Sequence, residues 1–244
     1  MRVLVLAAGY ATRLYPLTLD TPKPLLDVGG RALVDRLLEQ VHAIEGIDGT
    51  IVVTNAKFAG RFADWAEARG DGIVVVDDGT TTDDDRLGAI GDIGFVLDTL
   101  ALDDDVVVVA GDNLFGADVA GFGSYARETA APVLGVRDVG DIAEMPKYNQ
   151  VVTDERGRIT FFEEKPRGAT STLMGVALYF YPRSALPLIR RYLAEGNNPD
   201  QPGRLVEWLY TRVDVLTWRV PEPWYDIGSL ESLHAADAEL RAAS

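Results

Sequence analysis

The sequence predicts an α/β protein with a doubly wound, mostly parallel sheet, and two observations carry that prediction. Continuous apolar runs without polar alternation occur at 2–8, 50–55, 72–77 and 106–110. Runs of this kind are typical of strands that are buried on both faces. Apolar residues at helical spacing lie between these runs, so strand and helix alternate through roughly the first half of the chain.

The individual elements follow from the same patterns. In the first half, helices are predicted over 33–44, over 58–66 and over 89–100. The second half is more mixed, with a turn expected at 155–158. Strands are predicted there at about 132–137, 148–153, 158–163, 173–181 and 213–219, and helices at about 184–195, 203–211 and 229–242. Because no internal repeat and no strong linker is visible, we expect a single domain.

Composition narrows the classes of partner. A net charge of −15 argues against nucleic acid, because binding a duplex requires Lys and Arg to neutralise phosphates. The apolar runs are far shorter than the ~20 residues needed to cross a bilayer, so no membrane association is expected. The opening segment 1–9 is better explained by a buried strand than by a signal peptide. The chain contains no cysteine, which excludes disulfides and thiolate metal sites, and a cytoplasmic location is the default expectation.

The acidic stretch at 77–86 is the only low-complexity segment of the sequence. It can be interpreted as a solvated, mobile loop. Alternatively it lies beside a bound nucleotide, since it follows the predicted strand at 72–77 and ligands gather at the carboxyl ends of strands in α/β sheets. Both interpretations stay open at this point.

The turn after the first strand suggests a phosphate-binding element. Backbone amides after a strand can cradle phosphate oxygens, and here Gly9 would permit the tight turn. Arg13 can present a planar cation to a phosphate. The segment matches neither the Walker P-loop nor the GxGxxG fingerprint, so by itself it is a weak signal.

The continuation of this element resembles a known family. The stretch LAAGYATRLYPLTLDTPKPLLDVGG is similar to the N-terminal signature LAAGxGTRLxPLTxxxPKPLLxV of sugar-1-phosphate nucleotidylyltransferases, which include glucose-1-phosphate thymidylyltransferase. AGDNLF at 110–115, FEEKP at 162–166 and WYDIGS at 224–229 follow in the family's order. The resemblance implies a three-layer, Rossmann-like mixed sheet with a small sugar-binding portion. It suggests mainly nucleotide binding over 1–130, mainly sugar-phosphate binding over 131–228 and a C-terminal helix over 229–244.

Two acidic residues are candidates for binding a metal. Asp112 follows the apolar run at 106–110, and Asp226 lies in a compact segment far downstream. Taken alone, either could be a turn or helix-cap residue. The resemblance implies that both bind Mg²⁺, which prefers one or two carboxylates together with water and phosphate oxygens.

The resemblance also implies roles for cationic residues in catalysis. Arg13 and Lys23 match positions that contact the triphosphate and stabilise the departing pyrophosphate. Lys165 matches the lysine that binds the sugar phosphate, and Glu164 matches a carboxylate that accepts hydrogen bonds from sugar hydroxyls. Without the flanking motifs, each lysine would be interpreted as a solvated surface cation.

Recognition of the nucleobase is less well defined by the sequence. Ala11 occupies a position where a second glycine is common. Tyr10 could pack on the base or simply make an apolar contact within the protein. Gly88 would let the backbone approach the base, and Asp78 is a candidate because the family's Gln-Pro pair is absent here. The complete set of expected nucleotide-binding residues is Leu6, Ala8, Gly9, Tyr10, Ala11, Thr12, Arg13, Lys23, Asp78, Gly88 and Asp112.

On the sugar side, Tyr148 and Gly175 match positions near the sugar. Asn149 stands where hexose-binding members usually have glycine, so it could read a hydroxyl or block one. Gly175 has an alternative interpretation as a strand glycine at a bulge.

Together these motifs predict a Mg²⁺-assisted transfer of a nucleotidyl group from an NTP to a sugar 1-phosphate, which gives a nucleotide sugar and pyrophosphate. A sugar-1-phosphate oxygen is already anionic, so in-line attack on the α-phosphorus requires no protein nucleophile. His42 and His234 are accordingly interpreted as structural or exposed. The alternatives are a catalytically silent relative that regulates a partner and a glycosyltransferase that uses a nucleotide sugar. Family members commonly form homo-oligomers, so self-association is expected.

Overall fold

The structure, a computed structural model, describes residues 1–242; the last two residues of the helix predicted to 244 lie outside the described residues. The strands are β1 (Arg2–Leu6), β2 (Asp27–Val28), β3 (Arg31–Ala32), β4 (Gly49–Thr54), β5 (Val74–Asp77), β6 (Val106–Ala110), β7 (Asn113–Phe115), β8 (Val133–Asp138), β9 (Asn149–Thr153), β10 (Ile159–Glu164), β11 (Leu173–Tyr181), β12 (Leu216–Arg219) and β13 (Trp224–Asp226). The helices are α1 (Leu33–Val41), α2 (Ala59–Arg69), α3 (Ala89–Thr99), α4 (Gly121–Thr129), α5 (Leu186–Ala194), α6 (Pro202–Leu209) and α7 (Leu230–Ala242).

The chain forms two compact units, each assembled from separate segments. Unit 1 comprises Met1, Leu87–Val108 and Phe122–Val220. Unit 2 comprises Arg2–Arg86, Val109–Gly121 and the described residues from Pro221 onward. β7 and β13 join distant parts of the chain within unit 2. The assignment of mainly nucleotide binding to 1–130 and mainly sugar-phosphate binding to 131–228 stays a prediction.

Unit 2 contains the parallel part of the main sheet. Its strands follow the order β6-β1-β4-β5, with β6 contributing its last two residues. β4 pairs in parallel with both β1 and β5, and α1 and α2 form the connections. Val3, Leu4 and Val5 of β1 are fully buried, which explains why this strand is a continuous apolar run.

The C-terminal helix completes unit 2. Leu233 and Ala236 of α7 join a buried cluster with Val28, Leu33, Leu114 and Ile227. Asp237 accepts a hydrogen bond from the backbone amide of Gly29 at 2.7 Å, which ties the helix to the β2–β3 hairpin. The segment containing β13 is therefore anchored directly on its C-terminal side.

Unit 1 is the mixed part of the fold. Its strands follow the order β12-β8-β11-β6, with β8 parallel to β12 and antiparallel to β11. β9 and β10 form an antiparallel hairpin, and the expected turn is present, since Asp154 accepts hydrogen bonds from the amides of Arg156 and Arg158. The prediction of a mixed, mostly parallel α/β fold is confirmed.

Some elements were not expected from the sequence. The strands β7 and β13 have three residues each, and α4 contains Gly121 and Gly123, which weaken a helical pattern. Across residues 1–242, none of the helices combines the length and apolar character that crossing a bilayer requires.

Candidate active site

The turn after β1 contains a residue in the left-handed conformation, and that residue is Ala11 (φ 49°, ψ 42°), not Gly9. The expectation that Gly9 supplies the special turn geometry is therefore wrong. Gly9 is exposed, and a Cβ added there would meet no atom of the described residues within 4 Å. Its small size leaves open space beside the turn, while Thr18 Oγ1 holds the turn by donating to the Ala11 carbonyl at 2.9 Å.

We expect Ala11→Gly to raise the free energy of unfolding by up to about 1 kcal/mol. Left-handed backbone costs an L-residue about 1–2 kcal/mol, and the extra entropy of glycine in the unfolded chain offsets about 0.5–1 kcal/mol of that gain. Ala11→Val is the control of opposite sign, because a β-branched residue tolerates this conformation least. Urea unfolding of the three proteins measures both effects, and a glycine variant less stable than the wild type would contradict the prediction.

The acidic segment after β5 is ordered by its own carboxylates. Asp85 accepts hydrogen bonds from the amides of Thr81 and Thr82, and Asp78 accepts from the amide and hydroxyl of Thr80, both at 2.7 Å. Asp78 is buried, and its second carboxylate oxygen has no hydrogen-bond partner among residues 1–242. The segment is thus a hydrogen-bonded turn structure, and its contact with a nucleotide stays a prediction.

Tyr10 connects this segment to the turn after β1. Its side chain is buried, and its hydroxyl lies 3.5 Å from Thr80 Oγ1. Asn55, at the end of β4, donates to the Ala8 carbonyl at 2.8 Å. The carboxyl ends of β1, β4 and β5 are therefore linked, as expected for neighbouring parallel strands.

Asp112 lies just beyond the carboxyl end of β6, and a buried lysine pairs with it. Lys23 Nζ lies 2.7 Å from Asp112 Oδ2, with the lysine side chain 9 % and the aspartate side chain 32 % exposed. Lys23 is buried because the short 3₁₀ helix Lys23–Leu25 carries Pro24 against Gly111. The Asp112 carboxylate thus compensates the buried charge of Lys23.

Asp226 is brought to Asp112 by the pairing of β13 with β7. The register places Asp226 opposite Asn113, and the Ile227 amide donates to the Asp112 carbonyl at 3.0 Å. Desolvation and the nearby Asp112 carboxylate raise the pKa of Asp226, while Lys23 and Arg13 lower it. The residue is nonetheless exposed to solvent, so an ion or a substrate can still reach it. Unit 2 therefore gathers two carboxylates and two cations.

This donor set fits a hard divalent cation such as Mg²⁺. Two neighbouring carboxylates disfavour each other's ionised form, and a cation removes that penalty. Within the described part of the chain, no group of three or more acidic, His or Cys side chains is arranged to hold a metal. Asp112 and Asp226 would hold the ion, and water and phosphate oxygens would complete the coordination that Mg²⁺ requires.

In unit 1, Glu164 and Lys165 lie at the end of β10. Lys165 is exposed and adopts a left-handed backbone (φ 52°), and its amide donates to the Tyr148 carbonyl at 2.9 Å. Glu164 packs against Gly203 of α6, and burial raises its pKa, opposed by Lys165 and Arg204. A non-glycine residue held in this conformation is a mark of a constrained and often functional position.

Asn149 is engaged by the backbone of Gly175. Its Oδ1 accepts from the Gly175 amide at 2.6 Å, and its Nδ2 donates to the Gly175 carbonyl at 3.2 Å. A Cβ at Gly175 would lie 2.8 Å from Leu134, and the pairing of β11 with β8 is irregular between Gly175 and Tyr179. Close packing at an irregular strand therefore accounts for this glycine, and contact of either residue with a sugar stays a prediction.

Gly88 is also required by the protein itself. It has φ +80°, and an added Cβ would lie 2.7 Å from the Pro199 carbonyl oxygen. The first amides of α3 donate to the carbonyls of Pro199 and Asp200 at 2.8 and 3.2 Å. The residue allows this close approach within unit 1, and a role in approaching a nucleobase stays a prediction.

Sequence reasoning missed two residues next to the carboxylates. Asn113 is buried and bonds to both Asp112 and Trp224. Asn113 lies within the motif AGDNLF and Trp224 within WYDIGS, but the expected metal ligands in these motifs are only the neighbouring aspartates. The hydrogen bond between Trp224 and Asn113 joins residues 111 positions apart in the sequence, so no local pattern reveals it.

A parallel α/β sheet with Asp112 just beyond the carboxyl end of β6 and Asp226 beside it has the arrangement of an α/β protein that binds a ligand at the carboxyl ends of its strands. The chain belongs to the nucleotidyl transferase family, whose model matches residues 2–243. That match covers both units.

Individual relatives carry related activities. The chain is 30% identical over 243 residues to a mannose-1-phosphate guanylyltransferase of Mycobacterium tuberculosis strain H37Rv, covering 97% of this chain and 64% of that protein. It is 27% identical over 240 residues to a UTP–glucose-1-phosphate uridylyltransferase of Synechocystis, covering 94% and 61%. The chain thus spans less than two thirds of the length of these relatives.

A solved structure supports the fold. A UDP-glucose pyrophosphorylase complexed with UDP-glucose superposes with a TM-score of 0.83 at 18% identity, covering 100% of this chain and 99% of that one. The similarity confirms the mixed α/β architecture.

Proposed function

We propose that this chain transfers a nucleotidyl group from an NTP to a sugar 1-phosphate, giving a nucleotide sugar and pyrophosphate. The observation that carries the proposal is the meeting of Arg13, Lys23, Asp112 and Asp226 in unit 2. Such a set of opposite charges suits a triphosphate that arrives with a divalent cation. The relatives named above catalyse reactions of this class, which supports the assignment.

The reaction requires little covalent chemistry from the protein. An oxygen of the sugar 1-phosphate forms a bond to the α-phosphorus, the bond from that phosphorus to the bridging oxygen breaks, and pyrophosphate departs with the electron pair. In this proposal Arg13 and Lys23 bind the β- and γ-phosphates and offset the charge that accumulates on them. Mg²⁺, when bound, neutralises part of the phosphate charge.

Residues of unit 1 bind the second substrate in this proposal. Lys165 pairs with the phosphate of the sugar 1-phosphate, since its exposed side chain is available to a dianion. Glu164, half-buried beside it, accepts hydrogen bonds from sugar hydroxyls. The turn after β1, with open space at Gly9, lies against the nucleotide.

Self-association into a homo-oligomer and a cytoplasmic location are further parts of the proposal. Light scattering of the purified protein tests the self-association.

The decisive experiment measures pyrophosphate release across a substrate panel. GTP with mannose 1-phosphate and UTP or dTTP with glucose 1-phosphate are the first pairs, and the other common NTPs and sugar 1-phosphates follow. Release that requires both substrates and Mg²⁺ is expected for at least one pair. Binding without release would indicate a catalytically silent relative, and sugar transfer from a nucleotide sugar would indicate a glycosyltransferase.

A further inference from the structure

A chain of side-chain hydrogen bonds leads from an indole ring to the first carboxylate of unit 2. Trp224 Nε1 donates to Asn113 Oδ1 at 2.9 Å, and Asn113 Nδ2 donates to Asp112 Oδ1 at 2.8 Å. The other carboxylate oxygen, Oδ2, accepts from Lys23 Nζ at 2.7 Å. Each oxygen of Asp112 therefore accepts one hydrogen bond from the protein.

The indole ring of Trp224 determines which end of the Asn113 amide donates and which end accepts in this series of hydrogen bonds. An indole N–H can only donate, so the side chain of Asn113 must turn its oxygen toward Trp224 and its NH₂ toward Asp112. The reversed amide would leave the indole N–H facing a donor and would set a carbonyl oxygen against a carboxylate. Asn113 is 3 % exposed, so solvent has little access to relieve that mismatch.

We propose that Trp224 and Asn113 are positioning residues that orient the Asp112 carboxylate toward the divalent cation, an inference that rests on the proposed function. An ionised carboxylate has about four lone-pair positions, and Asn113 and Lys23 occupy two of them. With both oxygens held, the remaining lone pairs point in defined directions. Hydrogen bonds of this outer kind raise metal affinity because they prevent the ligand from rotating.

The test is a double-mutant cycle on the full-length chain, with Mn²⁺ as a paramagnetic stand-in for Mg²⁺. Electron paramagnetic resonance of free Mn²⁺ gives the dissociation constant without nucleotide and without turnover. We expect Trp224→Phe to weaken Mn²⁺ binding by about 10-fold and Asn113→Leu by about 10- to 100-fold. Because Trp224 acts through Asn113, adding Trp224→Phe to Asn113→Leu should weaken binding no further.

A matched control exists in the same unit. Trp65 Nε1 donates to the Asp35 carboxylate oxygen Oδ1 at 3.0 Å, so Trp65→Phe removes an indole side-chain hydrogen bond elsewhere in unit 2. It should leave the Mn²⁺ dissociation constant unchanged. Thermal unfolding checks that each variant folds, and if Asn113→Leu does not, Trp224→Phe carries the test because it keeps a ring in the β7–β13 pair.

The outcomes separate this inference from the proposed function. Wild-type affinity in a folded Trp224→Phe protein, or additive losses in the double variant, would overturn the positioning role alone. Absence of Mn²⁺ binding by the wild-type protein without nucleotide would overturn the positioning role and leave the proposed function standing, because phosphate oxygens of the nucleotide complete the metal site in that proposal. If the variants give the expected Mn²⁺ affinities but the wild-type protein releases pyrophosphate with no substrate pair, the positioning role stands and the proposed function is overturned.

Discussion

Lys165→Ala is expected to lower the turnover number for pyrophosphate release by about 100-fold or more, because without this cation the attacking phosphate is no longer held in line with the α-phosphorus. Folding should stay intact, because the residue is exposed and alanine accepts the left-handed backbone about as well as lysine does. Steady-state kinetics on the substrate pair found active, together with thermal unfolding, measure both effects.

Lys147→Ala is the matched control for this prediction. Lys147 is also an exposed lysine of unit 1, and its ammonium pairs with Glu144 at 2.6 Å. Losing an exposed ion pair changes stability little and should not change turnover. Near-normal turnover in Lys165→Ala, or an equal loss in Lys147→Ala, would remove Lys165 from the mechanism.

Asp226→Asn is expected to reduce pyrophosphate release by at least about 1,000-fold, because the variant loses a ligand of the metal ion, and a bound metal ion is worth several kcal/mol of charge stabilisation. Its effect on stability should have the opposite sign. Burial and Asp112 raise the pKa of Asp226, so above that pKa the folded chain bears a penalty for the ionised form that the unfolded chain does not. A neutral amide removes the penalty, and the metal-free variant should unfold at a higher urea concentration at pH 7.

The corresponding experiment compares urea unfolding in EDTA at pH 7 with the wild type. Asp64→Asn is the control, since Asp64 is an exposed carboxylate on α2 of the same unit, and it should change neither turnover nor the unfolding midpoint appreciably. A destabilised Asp226→Asn protein would mean that the carboxylate is favoured in the metal-free fold. Retained turnover would exclude Asp226 as a metal ligand.

Elements with a strong local pattern were predictable. The strands β4 and β6 are apolar because both faces are covered, and β11 was expected at 173–181, the range it occupies. The helix α1 was expected because Leu33, Leu37 and Val41 recur on one buried face. Elements without such a pattern were missed, since β7 and β13 exist only through their mutual pairing.

The sequence by itself determined the α/β class and, through its motifs, the family and the identities of Asp112, Asp226, Lys23 and Arg13 as candidates. Local periodicity and motif spacing are properties of neighbouring residues, and a single sequence displays them directly. Only the tertiary structure decided that Lys23 pairs with Asp112, that Ala11 and not Gly9 is left-handed, and that Trp224 donates a hydrogen bond to Asn113. Those features depend on strand pairing and burial between segments up to 111 residues apart, where no local pattern records the contact.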